Sequence, residues 1–427
     1  MTVRSIRPAC ARGHLRAPPS KSYTHRALIA AFLAEAPCDV VRPLDSDDTR
    51  ATREGLRALG ARVRVSREVW SISPMRHGTR IPGRTIRCGE SGTTLRFLSA
   101  VAALYPRPAR FEGTSRLAAR PMSELYEALR KLGATIETPP KTRSLPCMVR
   151  GPLTAGSIAI RGDVSSQFTS ALLMVLPKVG GRSELKIRGR IVSGPYVDAT
   201  CAILKQRGIR LRRTRGGFAI PGGQTYRAGK IRVPGDASSA AYLWAAAAAT
   251  GGRVEIEGVP ADLPQADLEV LPILAKTGAR VERTPRYVRV TGPMTGPVSV
   301  DLTDSPDLFP LVSVLAALVP DGLSRLSGAP HLEFKESDRR VESVRLARAL
   351  GARVSATGLH VDIRGSGSPR PLNVPALQDH RLVMSAAIGG LAAGGTSRIG
   401  RAEAVSKSFP GFWNALGVLT EGGEPVR

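Results

Sequence analysis

The stretch RAPPSKSYTHRALIAA, Arg16–Ala31, sets a proline pair and a polar turn ahead of an apolar helix that takes in Ala27, Leu28, Ile29, Ala30 and Ala31. Lys21 and Arg26 stand in its first turns, where the partial positive charge of a helix start favours acidic neighbours. Cations there either face water or belong to a site that holds an anion. The rest of the chain bears on the choice, because the phrase recurs. A short strand, a polar turn and an Ala/Leu-rich helix return as CGESGTTLRFLSAVAAL from Cys88, RGDVSSQFTSALLMVL from Arg161, VPGDASSAAYLWAAAAA from Val233, LTDSPDLFPLVSVLAAL from Leu302 and LQDHRLVMSAAIGGLAA from Leu377.

A second phrase keeps the same rhythm. It is a helix ending in glycine followed by a short basic strand: LGARV at Leu59, LGATI at Leu132, RGIRL at Arg207, TGARV at Thr277, LGARV at Leu350 and LGVLT at Leu416. Gly60, Gly133, Gly208, Gly278, Gly351 and Gly417 are thus expected at left-handed helix ends. Both phrases repeat about every seventy residues, so the chain reads as six units. Each has a strand, an apolar helix, a strand, an amphipathic helix and one or two further strands, such as VWSIS at Val69, YVRVT at Tyr287 and LHVDI at Leu359. An apolar helix is expected to be buried, an amphipathic one to face water on one side. Six units fit two α/β domains of three, residues 19–233 and 234–427, with the break in the Gly- and Pro-rich stretch near Pro221–Pro234. A six-unit solenoid is the rival arrangement, but solenoid repeats are shorter.

The 427 residues carry a formal net charge of +27, with only 4% aromatics. The basic residues run along the whole length, and base-stacking aromatics are scarce. Both facts argue against nucleic acid as the partner and leave anionic small molecules or an arginine-rich composition. The five cysteines are scattered and form no CxxC pair, which argues against a disulfide framework or a zinc site and for a reducing compartment. No signal-like N-terminal core and no apolar run long enough for a membrane is read, so a soluble cytoplasmic protein is expected.

Related units should bring their helix starts to one end of each domain. Those starts are Ser20, Lys21 and Ser22; Glu90 to Thr93; Ser165, Ser166 and Gln167; Asp236, Ser238 and Ser239; Asp304, Ser305 and Asp307; and Asp379, His380 and Arg381. Ser20, Ser238, Ser239 and Asp304 read as ordinary N-caps. Capping does not account for Lys21, Gln167, His380 or Arg381. Helix N-termini gathered with added cations make an anion trap. In FKESDRR, a helix would place Lys335 and Arg339 on one face with Glu336 beside them. Arg120 in AARPMSEL and Lys407 in VSKSFPGFW sit in turns before helices.

Together these segments resemble the EPSP synthases, the enolpyruvyl transferases of the shikimate pathway. The resemblance rests on PSKSYTHR, SDDT at Ser46, ESGTTLR at Glu90, RP at Arg120, SSQF at Ser165, SGPY at Ser193, GDASSA at Gly235, SPD at Ser305, KESDR at Lys335, DHR at Asp379 and SKSFP at Ser406, in family order over nearly the entire chain. It implies two inside-out α/β domains, each of three βαβαββ units, with the active site in the interdomain cleft and the N-terminal strand, residues 1–18, completing the second domain. It implies transfer of the enolpyruvyl group of phosphoenolpyruvate to the 5-hydroxyl of shikimate 3-phosphate, with no metal or organic cofactor, in a monomer.

By the same resemblance Lys21, Ser22, Arg26, Ser165, Ser166, Gln167, Ser193, Tyr196, Asp307 and Lys335 hold shikimate 3-phosphate. Lys21, Gly92, Arg120, Gln167, Arg339, Arg381 and Lys407 surround phosphoenolpyruvate. Asp307, Glu336 and Lys21 are the candidates for proton transfer. Glyphosate is expected to compete with phosphoenolpyruvate. Glu90 and His331 depart from the Asn common in the family, and Arg96 is a possible cation for Glu90 to pair with. A relative acting on a UDP-amino sugar would lack the KESDR phrase and carry a loop cysteine; no cysteine lies between Thr114 and Arg120.

Overall fold

The computed structural model describes residues 2–74, 85–141, 144–320, 322–328, 330–358 and 360–421, the side chains of Pro330 and His331 excepted. His331 as a site residue, and Leu359 as the start of a strand, therefore lie outside what is described. The chain divides into two compact units. One is Pro19–Pro234; the other joins Met1–Pro18 to Gly235–Arg427.

In the unit 19–234 three four-stranded sheets share one plan. The first runs, in spatial order, Gly229–Arg232, Cys38–Val41, Val69–Ser73, Arg62–Val65. The second runs Thr85–Arg87, Ala109–Glu112, Cys147–Arg150, Thr135–Glu137, and the third Ser157–Arg161, Arg182–Arg188, Gly217–Pro221, Arg212–Thr214. In each, the first pair is parallel and the others antiparallel. Parallel neighbours need a crossover, and here it is the apolar helix: Gly92–Ala102 joins Thr85–Arg87 to Ala109–Glu112, and Ser166–Val175 joins Ser157–Arg161 to Arg182–Arg188.

The other unit repeats the plan with one exchange. Arg12–Arg16 precedes the helix Lys21–Leu33 in the chain yet pairs in parallel with Arg253–Glu257. Gly229–Arg232 precedes the helix Ala237–Thr250 yet pairs in parallel with Cys38–Val41. Each unit therefore borrows the first strand of its first sheet from the chain bordering the other. Val3–Ile6 adds antiparallel to Ser397–Gly400 in the last, three-stranded sheet.

The apolar helices lie in the interior. Tyr23 to Leu33, Phe309 to Leu318 and His380 to Leu391 are buried without a break. The second helices bury one face only; in Asp47–Ala58 it is Asp48, Thr49, Thr52, Gly55, Leu56 and Ala58. Gly60, Gly133, Gly208, Gly278 and Gly351 all take positive φ where those helices stop. Gly417 does not end a helix. It lies within Phe412–Glu421, which continues because Leu419, one turn from the start of the expected stop, is buried against Gly13. Asp236, rather than Ser238 or Ser239, caps the helix Ala237–Thr250, its Oδ2 accepting from Ser239 N at 3.0 Å.

Candidate active site

In the unit 19–234 serines cap the three buried helices. Ser20 Oγ accepts from Tyr23 N at 3.5 Å, Ser91 Oγ from Thr94 N at 3.2 Å and Ser165 Oγ from Gln167 N at 3.3 Å. Lys21 is the first helical residue, with no acidic neighbour in its own first turn. Its Nζ reaches Asp48 Oδ2 at 3.1 Å, in the first turn of Asp47–Ala58, the end of a helix that favours a carboxylate. The Asp48 carbonyl accepts from Thr94 Oγ1 at 3.2 Å, and Gln167 Nε2 donates to Thr93 Oγ1 at 3.0 Å. The starts of four helices are thereby tied together side by side.

Two arginines frame this group. Arg26, 2% exposed, donates from Nε to Thr200 Oγ1 at 2.8 Å, from Nη1 to the Ser22 carbonyl at 2.9 Å and from Nη2 to the Tyr196 carbonyl at 2.8 Å. Burial pulls its guanidinium down to about 10, which leaves it charged at neutral pH. It locks the start of Lys21–Leu33 to the helix Gly194–Gln206, whose cap is Ser193, held at φ +56°. Arg96 donates from Nη1 to Gln167 Oε1 at 2.8 Å and from Nη2 to the Pro121 carbonyl at 3.0 Å. With Thr93 on its other end, the Gln167 amide is fixed in one orientation. Ser22 is half-buried and Ser166 buried beside these residues. Glu90 is exposed.

Gly92 opens its helix directly beneath Arg120. A Cβ at residue 92 would lie 2.8 Å from Arg120 Nη1 and 2.9 Å from Cζ, so the guanidinium can rest on the backbone only because the residue is glycine. Beneath Lys21, His25 is fully buried and its Nδ1 meets Thr52 Oγ1 at 2.8 Å. Burial, with Lys21 and Arg26 adding to it against Asp48, lowers this imidazole to about 3 and keeps it neutral.

The second group lies in the other unit and is built around Arg339, 1% exposed. Arg339 donates from Nη1 to Asp307 Oδ1 at 2.6 Å, from Nη2 to Glu336 Oε2 at 3.0 Å and from Nε to Asp379 Oδ2 at 2.8 Å. Arg381 Nη2 takes the other Asp307 oxygen at 3.1 Å, and Lys335 Nζ lies 3.7 Å from Asp307 Oδ1. Lys407 Nζ lies 3.6 Å from Glu336 Oε1. Burial pushes the Asp307 carboxyl up, but Arg339, Arg381 and Lys335 together outweigh it and hold it well below the usual range. Asp379 also caps the helix His380–Ala392, its Oδ1 accepting from Arg381 N at 2.8 Å.

The KESDR segment does not form the expected helix face. Lys335 and Glu336 precede the helix, which starts at Arg339 and is capped by Asp338 through Val341 N at 3.1 Å. Lys335 and Arg339 meet at Asp307 because the turn folds back onto it, and Arg339 is buried where a solvated salt-bridged helix would expose it.

The model of the EPSP synthase (3-phosphoshikimate 1-carboxyvinyltransferase) family matches residues 7–416. The chain belongs to the EPSP synthase family. Curated relatives named 3-phosphoshikimate 1-carboxyvinyltransferase include that of Methanocorpusculum labreanum, 38% identical over 402 residues, 94% of each chain. That of Thermococcus kodakarensis is 39% identical over 412 residues, 96% of this chain and 98% of the relative. Among solved structures, the EPSP synthase of Acinetobacter baumannii aligns with a TM-score of 0.82 at 25% identity, over 98% of both chains. The α/β fold with two domains expected of an EPSP synthase is the fold observed. No helix among the described residues is long and apolar enough to cross a membrane.

Within each unit the structure brings the expected EPSP synthase residues together: Lys21, Ser22, Arg26, Gly92, Arg120, Ser165, Ser166, Gln167, Ser193 and Tyr196 in one, Asp307, Lys335, Glu336, Arg339, Arg381 and Lys407 in the other. Sequence reasoning missed the partners that set their geometry. Asp48, inside the SDDT phrase, and Asp379, read only as a helix start, are the carboxylates on Lys21 and Arg339. Arg96, a possible partner for Glu90 by sequence, orients Gln167.

Proposed function

We propose that the chain transfers the enolpyruvyl group of phosphoenolpyruvate to the 5-hydroxyl of shikimate 3-phosphate, giving 5-enolpyruvylshikimate 3-phosphate and phosphate. Family membership over nearly the whole chain supports the activity. One observation supports the residue roles above the others: four cations, Lys335, Arg339, Arg381 and Lys407, packed around three carboxylates, Asp307, Glu336 and Asp379. Two polyanionic substrates need such an excess of fixed cations, and the reaction needs carboxylates whose charge those cations control.

The 5-hydroxyl attacks C2 of phosphoenolpyruvate and loses its proton, while C3 gains one; C3 then gives a proton back as the C2–O bond to phosphate breaks. Asp307 orients the hydroxyl and takes its proton. Held well below the usual range in the free protein, it is a weak base there. Substrate anions that draw on Arg339 and Arg381 offset the field of those cations at Asp307 and raise its basicity at the moment it is needed. Glu336, between Arg339 and Lys407, serves C3, and Lys21 serves the leaving phosphate. Arg120 over Gly92 supplies a planar fork for the carboxylate or phosphate of phosphoenolpyruvate. Arg26 keeps Ser22 and Tyr196 in place for shikimate 3-phosphate. The same reading takes the enzyme to act as a cytoplasmic monomer. The test is product formation: incubation with both substrates must yield phosphate and a compound one enolpyruvyl group heavier than shikimate 3-phosphate.

A further inference from the structure

Asp267 has no part in the scheme above, and nothing in the sequence singled it out. It lies in the turn Ala266–Glu269 ahead of the helix Val270–Lys276 and is 1% exposed. Its Oδ2 accepts a hydrogen bond from Ser238 Oγ; its Oδ1 is buried with no donor among the described residues. Its neighbour Gln265 grips the same helix start, Oε1 accepting from Ala237 N at 2.9 Å and Nε2 donating to the Gly235 carbonyl at 2.9 Å. The segment 265–267 thus fixes residues 235–238. Ser238 passes this on: its carbonyl accepts from Arg381 Nη1 at 3.4 Å, while Arg381 Nη2 holds Asp307.

The charged groups facing Asp267 are Asp236 on the helix cap, Asp307 ahead of Phe309–Leu318, and Arg381 on His380–Ala392. Burial first, then Asp307, push its carboxyl up to about 6, against Arg381 and the Ser238 hydroxyl, which lower it. An anion at Arg381 offsets a cation that favours ionised Asp267 and adds negative charge of its own. Anion binding and a proton on Asp267 therefore favour each other, and by linkage they do so equally.

We propose that Asp267 is a positioning residue for the anionic donor: through Ser238 it holds Arg381, and it binds a proton from solvent more tightly when phosphoenolpyruvate occupies that site. The proposal rests on the transferase reading above. Its test is the KM for phosphoenolpyruvate from pH 5 to 8.5 for the wild type, Asp267→Asn and Ser238→Ala; titration of the substrate itself is common to all three. Asn keeps the shape of the neutral carboxyl. The ratio of wild-type KM to Asp267→Asn KM is expected to be about one at pH 5 and to rise to about fivefold by pH 8, with kcat little changed. Ser238→Ala removes the hydroxyl that lowers Asp267 and is expected to move that rise to higher pH. A ratio that is the same at every pH overturns the proposal. If Asp267→Asn does not fold, the ratio of wild-type KM to Ser238→Ala KM decides alone: it is expected to change with pH, and a ratio that is the same at every pH overturns the proposal. Turnover by the wild type with a flat ratio removes only the role of Asp267; no turnover removes the transferase reading and this role with it.

Discussion

The guanidinium of Arg120 rests on the backbone of Gly92, 2.8 Å from where a Cβ would stand. The atoms that would have to move are the far end of a flexible side chain, so an alanine there is accommodated by Arg120 swinging away rather than by the helix. Gly92→Ala is therefore expected to leave thermal stability within about 1 kcal/mol of the wild type, since Ala favours the helix by up to that amount. The KM for phosphoenolpyruvate is expected to rise about tenfold, the cost of one charge-assisted contact, with that for shikimate 3-phosphate unchanged. Steady-state kinetics with each substrate varied in turn checks this; equal rises in both constants would contradict it.

Asp379 and Arg339 form the most deeply buried ion pair of the second group, 0% and 2% exposed at their side chains. Asp379→Asn keeps the helix cap but removes the charge. Breaking a buried pair costs about 3–5 kcal/mol because the partner remains buried, and here Asp307 and Glu336 retain part of the compensation. A loss of about 3 kcal/mol in chemical denaturation is expected. The KM for phosphoenolpyruvate is expected not to rise, because Arg339 is left with one anion fewer to compete with the substrate. A stable variant, or one with sharply weakened donor binding, would contradict this account.

His25 contributes to the acid limit of the unit 19–234. Its folded value is about 3 against 6.5 for the free side chain, so between these values the unfolded chain binds a proton that the folded chain refuses. Its contribution to stability is complete above pH 6.5 and is lost as pH falls toward 3, by roughly 2 kcal/mol at pH 5. Asp267 acts in the opposite sense: raised to about 6, its contribution is complete below pH 4 and lost as pH rises through 6. Asp267 is present in the wild type and in His25→Asn alike, so it cancels between them. His25→Asn, which keeps an acceptor near Thr52, is expected to lose less stability between pH 7 and pH 5 than the wild type. Parallel losses would show that His25 is not the group responsible.

The helix starts were legible because the repeat announced them: six polar turns ahead of six apolar runs, three of the turns carrying residues, Lys21, Gln167, His380 and Arg381, that capping alone does not need. Five of the six repeat glycines were legible for the same reason, since a positive φ leaves a local signature. Gly417 misled because a tertiary contact, Leu419 on Gly13, extends the last helix past it. The turn at Lys335–Ser337 misled because its residue types are those of a helix, while contacts from distant segments, Asp307 and Asp379 among them, hold it in a turn. The exchange of Arg12–Arg16 and Gly229–Arg232 between sheets is a matter of pairing, and pairing partners leave no mark in a strand's own residues. Asp267 was illegible for a related reason: its environment is assembled from segments about thirty to more than one hundred residues away.

The central claim is tested most directly by phosphate release from phosphoenolpyruvate in the presence and absence of shikimate 3-phosphate, measured for the wild type, Lys21→Ala and Glu336→Ala at neutral pH. Release by the wild type is expected only when both substrates are present. A fall in kcat of about 100-fold or more is expected in each variant, the scale of losing one acid–base or electrostatic group. No release by the wild type, or release that does not depend on shikimate 3-phosphate, would contradict that claim.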